Sequence, residues 1–249
     1  MTLRDGPQGP SSGTSLRVAM WSGPRNISTA MMRSWENRPD TDVVDEPFYA
    51  AYLEATGLDH PAREEVIASQ PTDPEEVVRR LREDGSAPVQ YAKHMTHHIL
   101  RDWPLDWVTE FRNILLIRDP DEVVASYVRS REACEPEDIG LLQQVRLLDA
   151  LPEDPPIIDA GDFLRDPEAY SRWICDWLGV DFTDRMLSWP VGPRKSDGVW
   201  APYWYRAVHA STGFEPYRPR EVELTGVALE AAERSRPDYA RLHAARVVL

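Results

Sequence analysis

The chain has 249 residues, of which 42% are hydrophobic, and its formal net charge is −14. This length and apolar content suffice for one packed core. The acidic balance argues against general binding to nucleic acid or anionic membranes, because such binding depends on excess positive charge. No apolar run approaches the roughly 18 residues of a membrane span, so no membrane insertion is expected.

The two cysteines and the N-terminal residues indicate a cytoplasmic setting. Cys134 and Cys175 show no metal-binding or redox spacing, which favours buried free thiols in a reducing compartment. Residues 1–15 lack the apolar segment of a signal peptide and are predicted to form a flexible tail. Residues 16–249 contain no internal repeat and no Gly/Ser-rich linker, so a single domain is predicted there.

Short apolar runs alternate with helical patterns along this domain, which is typical of a parallel sheet covered by helices. The predicted strands are 16–21, 42–46, 88–93, 113–117 and 155–159. The predicted helices are 27–37, 73–84, 95–102, 120–132, 136–150, 166–178 and 220–235. A long ordered loop is expected over the aromatic segment 190–218. The predicted fold class is α/β, a three-layer sandwich around a central, mainly parallel sheet of about five strands.

The most informative stretch is residues 16–35, where a short apolar strand breaks at a tight polar turn and a helix begins soon after. The polar residues that follow the turn are Arg25, Asn26, Ser28 and Thr29. The first N–H groups of a helix lack partners and carry partial positive charge, so this layout favours a bound phosphate or sulfate ester. The Gly-Lys-Ser/Thr of a Walker A loop is missing, which argues against ordinary Mg-ATP chemistry.

Polar side chains also follow the other predicted strands, at the edge of the sheet where open parallel sheets bind their ligands. In chain order these side chains are Glu46, Lys93 and His94, Arg118 to Asp121, and Asp159. Ser126 follows Arg118 by eight residues, two turns into the next predicted helix. One guanidinium and one hydroxyl could therefore hold a single phosphate from two sides.

The spacing Arg118-x7-Ser126 after a buried strand resembles the 3′-phosphate motif of sulfotransferases that use 3′-phosphoadenosine 5′-phosphosulfate (PAPS). Residues 24–29, PRNIST, resemble the 5′-phosphosulfate loop of that family, including Ile27 between the polar residues. Glu46 in DEPF resembles the carboxylate proposed as the base in many members. Lys93 in YAKH resembles the lysine at the strand end that lies near the transferring sulfonate.

Residues 194–200, RKSDGVW, are similar to the stretch that closes over the 3′-phosphate, although one residue shorter and with Ser196 in place of the usual glycine. The combination most resembles a bacterial sulfotransferase-like group with a P-loop-type topology. The resemblance implies sulfonyl transfer from PAPS to a hydroxyl or amine of a small-molecule acceptor, with 3′,5′-ADP as product and no metal. It also implies that Arg194 and Lys195 join Arg118 and Ser126 around the 3′-phosphate.

Histidines offer a second set of catalytic candidates. His94, beside Lys93, is an alternative base to Glu46, and His97 and His98 also stay open as bases. The spacing of His94 and His98 suits a helical metal site, but no third ligand follows at an obvious spacing, so no metal site is predicted.

Structural interpretations and other functions stay open beside this one. In the structural interpretations, Ser28 and Thr29 do no more than cap a helix, and Arg118 does no more than pair with a nearby aspartate. Lys93 then simply ends a strand in solvent. The competing functions are a P-loop kinase or NTPase, with Asp119 as the metal carboxylate, and a non-catalytic nucleotide-binding module. The sequence indicates neither the acceptor nor an oligomeric state, and the aromatic residues of 190–218 fit either packing or an acceptor pocket.

Overall fold

A computed structural model describes residues 15–83, 85–128, 134–219 and 222–249. Most of the predicted tail lies outside these ranges. So does one end of each of the predicted helices 73–84, 120–132 and 220–235. Five strands form one sheet within the described chain, close to the predicted positions. They are β1 Leu16–Ser22, β2 Thr41–Asp45, β3 Val89–Met95, β4 Arg112–Ile117 and β5 Ile157–Asp159.

The sheet has the strand order β2-β3-β1-β4-β5, and every pair is parallel. The first strand therefore lies at the centre, with Ser22 at its carboxyl end paired with Met95 of β3. All five carboxyl ends lie at one edge of the sheet. The chain places β3 and β2 on one side of β1 and β4 and β5 on the other. This switch opens a crevice at that edge of the sheet, where a ligand can bind.

Helices cover both faces of the sheet, as predicted for a three-layer α/β sandwich. In chain order they are α1 Ser28–Glu36, α2 Tyr49–Thr56, α3 Arg63–Ser69, α4 Pro74–Leu81, α5 Pro120–Tyr127, α6 Pro136–Ile139, α7 Leu141–Ala150, α8 Ala160–Arg165, α9 Pro167–Leu178, α10 Ala201–Trp204, α11 Arg206–His209 and α12 Gly226–Ala244. The chain also makes short 3-10 turns at Thr96–His98, Asp106–Glu110 and Asp184–Leu187.

Alternating side chains of β1 show how the sheet divides two cores. Val18 and Met20 pack on one face, against Met32 and Trp35 of α1 and against residues of α2 and α9. Ala19 and Trp21 point to the opposite face, towards α4, α5, α7 and α12. The strand is fully buried on both sides, which is why it is a continuous apolar run rather than an alternating one.

Three predicted helices differ from the structure, and only the first of them is missing. The predicted helix 95–102 is instead the end of β3 followed by one 3-10 turn, because pairing with β1 keeps the chain extended to Met95. The predicted helix 136–150 is broken at Gly140, whose φ of 82° lies in the left-handed region and ends α6. The helix predicted at 220–235 begins at Gly226 and runs to Ala244.

Five further helices were not predicted, and the aromatic segment is only partly a loop. Helices α2, α3 and α8 are short and supply few turns of apolar period, so the sequence pattern did not reveal them. Segment 190–218 contains α10 and α11 rather than loop alone. No helix within the described ranges is both long enough and apolar enough to cross a membrane.

Candidate functional site

A cavity of about 470 Å³ opens at the carboxyl edge of the sheet, where β1, β3 and β4 end. Most of the predicted site residues meet there. Those that line the cavity are Arg25, Asn26, Ile27, Ser28, Thr29, Glu46, Lys93, Arg118 and Ser126. His97 and His98 line it as well, whereas His94, Arg194 and Lys195 do not.

The loop between β1 and α1 forms one wall of this cavity. Arg25 has a φ of 55°, in the left-handed region that non-glycine residues rarely adopt. Its guanidinium Nε donates to Ser126 Oγ at 2.9 Å, which joins the loop to α5. Asn26 stabilises the turn, donating from Nδ2 to the Leu116 carbonyl at 3.1 Å and accepting the Ile27 N–H at 2.8 Å.

Helix α1 begins at this loop without a side-chain cap. Its N-cap is Ile27, so neither Ser28 nor Thr29 caps the helix. The first turn of α1 therefore has no capping side chain, and its residues Ser28 and Thr29 line the cavity together with Arg25. This combination of helix dipole, N–H donors and a cation fits a bound anion.

Arg118 lies at the end of β4, on the same wall. Its guanidinium donates to the Arg25 carbonyl at 3.2 Å and twice to Glu122 Oε2, at 2.9 and 2.7 Å. The partner is thus Glu122 one helical turn away, rather than Asp119 or Asp121. Asp119 instead caps α5 by accepting the Asp121 N–H at 2.8 Å.

A buried ion cluster forms the floor of the cavity. Lys93 is 1% exposed, so it is not a solvated strand end. Its ammonium donates to Asp45 Oδ1 at 2.9 Å, to Glu46 Oε1 at 2.7 Å and to the Tyr205 hydroxyl. Three protons thus meet three partners, which satisfies the buried ammonium completely. Burial lowers the pKa of Lys93, but the two carboxylates outweigh it and the net pKa is raised.

Tyr205, in the aromatic segment, joins this cluster with Asp45, and the sequence analysis identified neither of them as a site residue. Its hydroxyl lies 2.7 Å from both carboxylate oxygens of Asp45 and 3.2 Å from Glu46 Oε1, and it accepts the Trp200 Nε1–H at 3.0 Å. Burial, followed by Asp45 and Glu46, raises its pKa well above the usual value, so it stays a donor. The only sequence signal was the aromatic cluster itself.

Glu46 has a strained backbone conformation and a side-chain pKa that is raised. Its φ is 44°, and its N–H donates to the Lys93 carbonyl at 2.9 Å while its own carbonyl accepts from Gln70 at 3.1 Å. Arg25 and Glu46 are two of the three non-glycine residues with positive φ in the described chain, and such strain concentrates at functional sites. Burial raises the pKa of Glu46, and Asp45 adds to this, against the lowering effect of Lys93.

The histidines after Lys93 point in different directions. His94 lies on the other face of β3, stacked on Trp21 at a centroid distance of 4.2 Å, and neither ring nitrogen has a hydrogen-bond partner among the described residues. Burial lowers the pKa of His94 to about 3. The structure therefore does not bring His94 to the cavity. His98 lies at the cavity, with Nδ1 4.0 Å from Glu46 Oε2.

Arg194 and Lys195 lie away from the cavity. Arg194 is near Glu36, with Nε 3.9 Å from Oε2, and Lys195 is exposed. Their loop is attached to α1 by Asp197, which pairs with the buried Arg33 and accepts the Arg194 N–H at 2.8 Å. A role of Arg194 and Lys195 in nucleotide binding stays a prediction.

The aromatic residues of segment 190–218 divide between core and cavity. Trp200 and Tyr205 are buried, Trp204 and Phe214 line the cavity, and Tyr203 is 54% exposed. Both earlier interpretations, packing and pocket lining, therefore apply to different members of the group. In the part of the chain that the structure describes, no group of three or more His, Cys, Asp or Glu side chains could hold a metal ion.

Comparison with known proteins gives one family. A sequence model described as "Sulfotransferase domain" matches residues 16–235. Two Arabidopsis thaliana proteins are similar in sequence. "Branched-chain-amino-acid aminotransferase-like protein 1" is 39% identical over 228 residues, which are 89% of this chain and 40% of that protein. "Branched-chain-amino-acid aminotransferase-like protein 2" is 38% identical over 201 residues, which are 79% of this chain and 36% of that protein.

Two solved structures share the fold at low identity. The sulfotransferase domain from the curacin biosynthetic pathway has a TM-score of 0.56 at 17% identity, covering 90% of this chain and 98% of its own. The sulfotransferase from Alicyclobacillus acidocaldarius has a TM-score of 0.53 at 16% identity, covering 95% of this chain and 98% of its own. The architecture of the sheet and its helices is therefore that of a sulfotransferase fold.

Proposed function

We propose that this chain, which belongs to the sulfotransferase domain family, transfers a sulfonyl group from PAPS to a hydroxyl or amine of a small-molecule acceptor. The observation that carries the proposal is the arrangement of one cavity with an anion-binding wall and a basic carboxylate on its floor. Arg25, Arg118 and the start of α1 form the wall, and the Lys93–Glu46 pair forms the floor.

The residues present fit a donor with two phosphate positions. The uncapped first turn of α1, with Arg25, Ser28 and Thr29, suits the 5′-phosphosulfate. Arg118 and Ser126 lie on the same wall and suit the 3′-phosphate, because a guanidinium and a hydroxyl can bind one anion together. The hydrogen bond between Arg25 and Ser126 links the two positions, which supports a single continuous site for both phosphates.

In the proposed reaction the acceptor oxygen bonds to sulfur while the bond from sulfur to the 5′-phosphate oxygen breaks. The electron pair of that bond stays on the phosphate, and the acceptor proton moves to Glu46. The raised pKa of Glu46 brings this carboxylate closer to neutral pH, which suits a general base. Protonation of Glu46 weakens its ion pair with Lys93, which frees one ammonium proton to donate towards the leaving oxygen.

A nucleotide-binding panel tests the class of donor. We expect 3′,5′-ADP to bind more tightly than 5′-ADP or ATP, with no benefit from Mg²⁺, as measured by calorimetry. Tighter binding of ATP with Mg²⁺ would favour the P-loop kinase or NTPase instead. Binding of 3′,5′-ADP without transfer of label from ³⁵S-PAPS to any of a panel of alcohols, phenols and amines would favour the non-catalytic module.

Arg118→Ala tests the 3′-phosphate position. We expect this variant to lose about ten- to a hundredfold in affinity for 3′,5′-ADP and far less for 5′-AMP, because a charge-assisted contact contributes about 1.5–3 kcal/mol. Arg172→Ala is the matched control, since Arg172 also pairs with a glutamate one turn away but lies on α9. Equal losses for the two nucleotides would remove Arg118 from the 3′-phosphate site.

The proposal concerns this chain and not the whole of the longer proteins that it resembles. The aminotransferase-like designation belongs to two proteins of which this chain covers 40% and 36%. The proposal for this chain rests on the domain that the family model covers. We propose residues 16–249 as one domain, while the flexible tail, the cytoplasmic setting and the bacterial source stay predictions.

A further inference from the structure

One buried nitrogen at the cavity has no partner. His98 is 2% exposed and lines the cavity beside Glu46. Its Nδ1 makes no hydrogen bond to any described residue, although Glu46 Oε2 lies 4.0 Å away. This separation is too long for a direct hydrogen bond, and a buried polar atom without a partner costs about 1–3 kcal/mol. The site therefore has a donor or acceptor position that something else can fill.

The His98 ring is held in place by two tyrosines. Tyr49 stacks on it at 4.5 Å with the ring planes 10° apart, and Tyr52 stacks at 4.9 Å. Tyr49 also begins α2, shortly after Glu46 in the chain, and donates its backbone N–H to the Glu46 carbonyl at 3.1 Å. One short segment thus sets the positions of both the imidazole and the carboxylate, so the gap between them is built into the fold.

We infer that His98 binds the acceptor, holding its hydroxyl between Nδ1 and Glu46 Oε2. This inference rests on the proposed function. The hydroxyl would donate its proton to Glu46 and accept a hydrogen bond from the Nδ1–H tautomer of His98. An oxygen about 2.8 Å from each atom fits a gap of this width.

The arrangement selects the chemical class of the acceptor. Burial, with the neighbouring His97 and other cations, lowers the pKa of His98 well below 6.5, so the ring is neutral at physiological pH. A neutral Nδ1–H needs a lone pair to bind, which an alcohol or phenol oxygen offers. A reacting amine must be unprotonated, and its single lone pair attacks sulfur, so none is left for Nδ1–H, whereas an oxygen has a second lone pair. Within the proposed hydroxyl-or-amine range, the structure thus favours a neutral hydroxyl.

A crystal structure with 3′,5′-ADP tests the geometry without requiring the natural acceptor. We expect an ordered water, the smallest hydroxyl, within hydrogen-bond distance of both His98 Nδ1 and Glu46 Oε2. A direct contact between these two atoms, or an empty gap beside a bound nucleotide, would overturn the inference but leave the proposed function standing. Absence of the nucleotide from the cavity would count against the proposed function itself.

Two substitutions of His98 test the chemistry with water as the acceptor. The measured quantity is release of 3′,5′-ADP from PAPS. His98→Leu should slow it about a hundredfold, because one donor at the reacting oxygen is lost. His98→Asn should keep it within about tenfold of the parent, because an asparagine N–H can occupy the position of Nδ1.

The controls separate this role from a structural one. Both variants should bind 3′,5′-ADP as the parent does, and His94→Leu, which removes a buried imidazole on the other face of β3, should leave the rate within about threefold. A parent-like rate in His98→Leu would contradict the inference. So would an asparagine variant that is folded and binds nucleotide but is as slow as the leucine variant.

Discussion

At the scale of single residues, the site is organised by what surrounds each ionisable group. Glu46 lies beside another carboxylate and one ammonium, out of contact with bulk water, and its pKa is raised. His94 lies on the opposite face of the same strand among aromatic rings, where burial lowers its pKa to about 3. Neighbouring strand ends therefore present one carboxylate whose raised pKa lets it take up a proton more readily and one imidazole that stays neutral.

Glu46→Gln tests the proposed base. The amide keeps the size of the side chain and can still accept from Lys93, but it cannot take up the acceptor proton. We expect turnover of PAPS to fall by about 10² or more while the affinity for 3′,5′-ADP is retained. In the parent, turnover should also fall as the pH is lowered through a pKa above 4.5, because protonation removes the base.

Glu168→Gln, on the surface of α9, is the control for a general effect of losing a carboxylate. Full turnover in Glu46→Gln would transfer the role of base to one of the histidines. His97 and His98, which line the cavity, would then each need to be replaced in turn.

At the scale of elements, the loop between β1 and α1 depends on a break between two helices. A Cβ at Gly23 would lie 2.0 Å from the Ile139 carbonyl oxygen, so only glycine allows this approach of α6 to the loop. Gln144 of α7 donates from Nε2 to the carbonyls of Trp21 and Leu116, at 3.1 and 3.0 Å. The break at Gly140 lets α6 and α7 hold the ends of β1 and β4 together beneath the cavity.

Gly23→Ala tests this dependence. We expect a loss of about ten- to a hundredfold in affinity for 3′,5′-ADP, because the added methyl must displace either the loop or α6, and overpacking costs about 1–3 kcal/mol. Gly179→Ala is the control, since Gly179 has a φ of 72° with open space around it and lies far along the chain at the end of α9.

The control variant should lose stability by about 1 kcal/mol and keep its affinity for the nucleotide. The two measurements are urea unfolding and nucleotide calorimetry. Parent-like binding by Gly23→Ala would show that the loop does not need the close approach.

At the scale of the whole molecule, buried histidines make stability depend on pH. His94 has an ordinary unfolded pKa near 6.5 and a folded pKa of about 3. Between these values the unfolded chain binds a proton that the folded chain excludes, so the stability is complete above pH 6.5 and is lost as the pH falls. His98 acts in the same direction. Glu46 opposes them, because its raised pKa favours the folded state at lower pH.

His94→Phe tests this linkage. Urea unfolding of the parent should give a free energy of unfolding that falls as the pH is lowered from 6.5 to 5. The variant should show a slope smaller by about 1.4 kcal/mol per pH unit, because one titrating group is gone while the stack on Trp21 is kept. Equal slopes would contradict the buried, neutral state of His94. Retained turnover in the same variant would show that His94 is not the base.

Local sequence patterns determined the sheet and one wall of the site. The strands are short apolar runs, and burial on both faces of the sheet requires that pattern wherever the chain lies. The loop from Arg25 to Thr29 and the pair Arg118 and Ser126 follow strand ends directly. Their places at the cavity therefore depend on contacts over only a few residues and on the parallel order of the strands.

The tertiary structure alone decided how the floor of the cavity is assembled around Lys93 and Glu46. Tyr205 lies 112 residues after Lys93, and no local pattern states that its hydroxyl joins the buried cluster. His94 points to the face opposite Lys93 because β3 extends to Met95 and side chains alternate along a strand, whereas His98 lies in the 3-10 turn after this extension. That extension is stabilised by pairing with β1, which is distant in sequence, so a helical period at 95–102 could not reveal it.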